Sequence, residues 1–205
     1  MGISIKKRIY WSFLLLVSLF VINGAITIVT LSRINQLSAH LTNVVEPSIQ
    51  SINDFKRMMI ESKMYTTNWV FLRSNQEDKD LLKKLHDSDY NTIKARVNFH
   101  FAKWGNKQDS DSLNKIFAGF EKLMIIEKSI MGSLKKFEDY DDPTTKFEAE
   151  RKVEEEVLPR TAGLISALNI INEKARQFRK EENTRLESAS MKLSAFIIVL
   201  AVTII

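Results

Sequence analysis

The chain has 205 residues, with 30 Lys and Arg against 25 Asp and Glu, a net charge of +5 and no cysteine. A cysteine-free chain folds without disulfides, and basic residues that form no stripe interleaved with aromatics offer no surface for nucleic acid. Only 6 glycines and 3 prolines interrupt it, which points to long helices.

Residues 1–8 end in Lys6-Lys7-Arg8, and no charge follows until Arg33. The 24 residues 9–32 exceed the roughly 20 that a helix needs to cross a bilayer. A cleaved secretory signal has a shorter apolar region, and the run resumes after Asn23-Gly24-Ala25 as Ile26 to Leu31. Residues 9–32 are therefore read as a retained transmembrane helix. The basic flank keeps the N-terminus in the cytoplasm and places Arg33 onward outside.

Residues 33–192 are long enough for one core, and turn chemistry divides them into helices at about 33–73, 77–104, 112–139 and 144–192. Asn75 and Asp142 read as N-caps, the latter with Pro143 at the first helical position. Asp109-Ser110-Asp111 reads as a third cap, and Gly105 as a helix stop. Each helix carries apolar residues at steps of three and four. The first seam runs through Val45, Ser48, Ile52, Phe55, Met59, Ser62, Thr66, Trp69 and Arg73. The third runs through Leu113, Ile116, Phe120, Leu123, Ile130, Leu134 and Phe137, and the fourth through Val157, Thr161, Leu168, Ile171, Ala175 and Glu182. The expected fold is all-α, an antiparallel up-down-up-down four-helix bundle continuous with two transmembrane helices. Pro47 and Pro159 are expected to kink or break helices one and four. Gly119, Gly132 and Gly163 are read as points of close helix approach.

After Lys192 the chain continues as LSAFIIVLAVTII. These residues, 193–205, are too few to cross a bilayer and are read as the start of a second transmembrane helix in a longer protein.

The layout is that of a known family. A basic N-terminus and one anchor precede LSRINQL, VVEPSIQSINDFKRMMIES and RSNQEDKDLLKKL, and a late EVLPRTAGLISALNIINE leads to the second apolar run. With Glu46-Pro47 and Leu158-Pro159 as its most telling pieces, the chain resembles the four-helix-bundle sensory domain of methyl-accepting chemotaxis receptors and related sensor histidine kinases. The resemblance implies a two-pass protein of the bacterial inner membrane with its main domain periplasmic. It also implies a homodimer, a small ligand or periplasmic binding protein as partner, and a signalling module beyond the second anchor.

Chemistry-bearing groups are sparse. His86 and His100 are fourteen residues apart, about 21 Å along a helix, too far for one metal. The acids Glu138, Asp139, Asp141 and Asp142 lack the calcium-loop spacing. No catalytic group, metal or cofactor is expected, and the chain is not read as an enzyme. At the far end of the first helix, however, the seam turns polar at Ser62, Thr66, Trp69 and Arg73. Polar groups in a seam must be satisfied, and these four are the candidate ligand-binding residues, with Arg73 offering a fork to an anion. Signalling then follows from a small shift of the fourth helix against the first. The alternative is a scaffold membrane protein whose helices bind partners without sensing a ligand.

Overall fold

The computed structural model describes residues 5–103 and 107–204. It is all-α, with no strand among the described residues. The chain forms two compact units, residues 1–42 with 180–205, and residues 43–179. Gly105, expected to stop a helix, lies outside the described residues, as do Trp104 and Asn106.

The first unit holds α1 (Ile5–His40) and the later part of α7 (Leu158–Ile204). No residue of α1 is buried. An 18-residue window in the helix beginning at Ile5 has mean hydropathy 2.4, none of it covered by protein. Apolar side chains stand exposed all around it, from Ile9 and Trp11 to Val29 and Leu31. Water would not tolerate such a surface. By length and composition this helix can cross a membrane.

The second unit is built on α2 (Glu46–Phe71), followed by α3 (Gln76–Lys84), α4 (Tyr90–Phe101), α5 (Lys107–Ser133), α6 (Pro143–Lys152) and the first part of α7. α2 packs against α3, α4 and α5, and α5 against α6. The seam read for the first helix is buried at every position from Val45 to Trp69. Its centre is aromatic: Phe55 lies 4.9 Å from Phe117 and 5.8 Å from Phe120, ring centre to ring centre. Side-chain pairs join α2 to α7 at Glu46–Arg179 and Asn53–Asn172, and α2 to α4 at Asp54–Arg96. Further bonds join Ser62 to Glu127 on α5 and the Trp69 indole to the Leu134 carbonyl just past the end of α5.

Helix starts follow the capping chemistry at two of three sites. Asn75 accepts from the Asp78 amide, and Asp142 accepts from the amides of Thr144 and Thr145 ahead of Pro143. Asp109 is not a cap. α5 begins at Lys107, and Asp109 lies buried in its first turn, bonded to Lys174. The third helix also ends earlier than its spacing suggests. α5 stops at Ser133, and a 3₁₀ turn, Phe137–Asp141, follows. Phe137 there is 56% exposed and so is not a core residue.

Neither Pro47 nor Pro159 ends its helix. Each sits two residues after a five-residue π turn, Leu41–Val45 and Val153–Val157. The Leu158 amide bonds the carbonyl of Val153, five residues back. The amide that Pro159 lacks therefore falls where the wide turn gives way to α-helix, not inside a regular ladder. A third π turn, Leu85–Asp89, joins α3 to α4 with no proline nearby.

Gly119 is a point of close approach: a Cβ there would stand 2.6 Å from Leu164 Cδ2. Gly132 and Gly163 are not, because a Cβ at either would meet open space. A bulky side chain at position 119 should push Leu164 aside, so Gly119→Ile is expected to cost about 1–3 kcal/mol. Gly163→Ala should instead stabilise by about 0.5–1 kcal/mol through helix propensity. Urea unfolding monitored by circular dichroism measures both, and a destabilised Gly163→Ala would contradict the packing described.

Candidate functional site

In the middle of α2 the seam changes character. Ser62 and Thr66 are both 0% exposed, where a helix of this kind normally places leucine or isoleucine. Ser62 Oγ lies 2.9 and 2.7 Å from the two carboxylate oxygens of Glu127 on α5. His86 Nε2 lies 2.7 Å from Glu127 Oε2, and both side chains are fully enclosed. One hydroxyl proton serves one oxygen at a time, so the imidazole is the second support of the carboxylate. The π turn Leu85–Asp89 carries His86 into the core, a place where wide turns commonly bring a side chain to special use. Two polar atoms of this layer, His86 Nδ1 and Thr66 Oγ1, have no hydrogen-bond partner among the described residues.

The chemistry of the layer follows from its order. The carboxylate stands between the hydroxyl and the imidazole. Nucleophilic triads need the imidazole in that position, to take the hydroxyl proton. Ser62 is therefore held, not activated. Two ligating groups are also too few for a metal site, and no cluster of three acidic or histidine side chains that could hold an ion occurs among the described residues.

Further on, Trp69 near the end of α2 and Arg73 just past it meet the segment that holds the 3₁₀ turn. Trp69 Nε1 donates to the Leu134 carbonyl at 3.0 Å, and the Tyr140 hydroxyl donates to the Trp69 carbonyl at 2.7 Å. Arg73 reaches Asp141 at 2.6 Å, with its guanidinium 3.2 Å from the centre of the Phe137 ring. The four residues singled out from the sequence thus divide: Ser62 and Thr66 belong to the buried layer, Trp69 and Arg73 to this aromatic end. Lys79, Tyr140 and Phe137 complete the end. Lys79 is only 8% exposed and gives one hydrogen bond, to the Arg73 carbonyl at 2.9 Å. Burial, and then the neighbouring charge of Lys83, hold its ammonium below the ordinary lysine range.

Glu127 and His86 were not among the candidates, yet a signal for Glu127 was present. Glu127 falls four residues after Leu123 and three before Ile130, on the spacing of the third seam. His86 follows the buried Leu82 at a spacing of four, so the spacing already places it on the inward face of α3.

No family model, no curated protein and no solved structure matches the chain.

Removing Glu127 strands a hydroxyl and an imidazole in the core. Glu127→Ala should cost about 3–5 kcal/mol. Replacing the three bonded members of the layer, Ser62→Ala with His86→Leu and Glu127→Leu, should return stability to within about 1 kcal/mol of the parent or raise it. Chemical denaturation of the single and triple variants measures both. A triple variant no better than Glu127→Ala would show that the layer holds the core together.

Tyr140 gives a test with pH. Burial and then Asp139 push its phenol up to about 12, partly offset by Arg73. A group whose pKa is raised on folding contributes stability that is fully present below its unfolded value near 10. That contribution is lost as pH rises to about 12. Tyr90, bonded to Glu121, is raised too and acts in the same direction, whereas Lys79 is lowered and acts oppositely below its ordinary value. Tyr140→Phe should flatten the fall in melting temperature between pH 10 and about 12. An unchanged slope would mean that the phenol titrates as if unfolded.

Proposed function

We propose that the chain is the input region of a bacterial transmembrane receptor, of the chemotaxis or sensor-kinase kind. In this reading residues 43–179 form an antiparallel four-helix bundle in the periplasm, and two helices leave it for the inner membrane. The observation that carries the reading is the uncovered apolar helix starting at Ile5, attached to a helical unit with a well-filled core.

The bundle topology is supported by the order of the cross-links. From Glu46 to Asn53 on α2 the partners on α7 run backward, from Arg179 to Asn172. From Ser62 to Trp69 the partners run forward, from Glu127 on α5 to Leu134 just past its end. Helices one and three thus run alike, and helix four runs against helix one. Two membrane passes rest on the apolar run after Lys192 and on the resemblance of layout. The homodimer and a small ligand or periplasmic binding protein as partner rest on the resemblance of layout. A ligand would act by favouring one of two packings of α7 on α2, since it shifts only what it binds unequally.

Orientation is open to a direct measurement. Lys135, exposed between α5 and the 3₁₀ turn, is a suitable site for a single cysteine because the chain has none. Lys135→Cys should react with a membrane-impermeant maleimide in intact cells. Labelling seen only after lysis would place residues 43–179 in the cytoplasm and end the receptor reading.

A further inference from the structure

At the end of α2, two aromatic faces and a carbonyl surround a cation that has no anion. Lys79 Nζ lies 5.4 Å from the centre of the Trp69 ring and 4.8 Å from that of Tyr140. Its hydrogen bond goes to the Arg73 carbonyl, and no carboxylate reaches it among the described residues. The walls are almost fully buried, Trp69 at 4% and Tyr140 at 7% exposure. They are also fixed independently of Lys79, because the indole N–H is held by Leu134 and the phenol by the Trp69 carbonyl.

We propose that Trp69, Tyr140 and the Arg73 carbonyl form a binding box for quaternary ammonium compounds, filled by the chain's own Lys79. A primary ammonium has three N–H donors and is strongly hydrated. Here it gives one hydrogen bond to a protein group, the Arg73 carbonyl, and has two aromatic rings beside it. A quaternary ammonium has no N–H to leave unpaired and little hydration to lose, and aromatic cages are how proteins recognise it. Lys79 can make way because its ammonium sits at the tip of a four-carbon stem in the first turn of α3, a nine-residue helix. As an internal occupant it competes at millimolar or higher effective concentration. The parent chain therefore binds weakly, and a chain without the lysine binds well.

The inference concerns binding alone and stands apart from the receptor reading. The test uses the full chain in detergent, titrated calorimetrically with tetramethylammonium chloride against sodium chloride of equal ionic strength. Lys79→Ala should bind with a dissociation constant on the order of 1 mM. That is at least about tenfold tighter than the parent. Adding Tyr140→Leu to it should abolish binding, and Lys79→Met, which refills the box with an uncharged stem, should not bind. A second readout keeps the parent chain in play: about 100 mM tetramethylammonium should displace Lys79 and raise its acetylation rate several-fold, with exposed Lys135 as the internal control. A folded Lys79→Ala without saturable binding, or binding that survives loss of Tyr140, overturns the proposal. Where Lys79→Ala does not fold, unchanged acetylation of Lys79 overturns it.

Discussion

The second unit is organised around a carboxylate that has been taken wholly out of water. Glu127 is 0% exposed in a core made mostly of aromatic and aliphatic side chains. Desolvating such a group costs several kcal/mol, and its neighbours recover that only with good geometry. Ser62 and His86 supply the geometry from two other elements, so α2, α5 and the π turn Leu85–Asp89 are tied at one level. Apolar seams tolerate sliding by a turn, because one leucine replaces another. A polar layer does not, since a slip by one turn leaves a carboxylate facing a methyl group. The layer thus fixes register more than it adds stability.

The wide turns fit this constraint. The π turn Val153–Val157 packs on α2 and α5, the two helices that hold Ser62 and Glu127. A wide turn adds a residue without adding a full step of rise, and so rephases everything that follows it. The segment Leu85–Asp89 holds His86 in the core at its start and rephases α4 after it. In the other two the wide turn precedes a proline, where the helix has already surrendered regular hydrogen bonding. Proline and wide turn together let the helix pass a position that would otherwise end it.

Much of the fold was legible because burial follows spacing. The first seam could be read from Val45 to Trp69 without error, and two caps announced themselves through Asn75 and the Asp142-Pro143 pair. What could not be read had specific causes. Asp109 has the residue type of a cap, but its preference for Lys174 lets α5 begin earlier. Phe137 continues the spacing of its seam, but the helix stops four residues before it, and the ring serves Arg73 instead. Gly132 and Gly163 looked like Gly119, and only the position of Leu164 separates them. Of the polar residues in the seam, Ser62 and Thr66 were visible as anomalies. Their partner was visible only to a reader willing to bury a glutamate.

The two polar places in the core differ in how their groups are satisfied, and that difference bears on what each can do. At Glu127 the partners are mutual, and each loses by the departure of the other, so the layer resists change. At Lys79 the two aromatic walls are held by the Leu134 and Trp69 carbonyls, and the cation bonds only the Arg73 carbonyl. The lysine gains from the box, but the box does not need the lysine to stand. An interaction satisfied on one side only is the kind that another cation can replace without undoing the fold. The layer at Glu127 keeps the register that holds Trp69 against Leu134, so the fixed site supplies the frame for the exchangeable one.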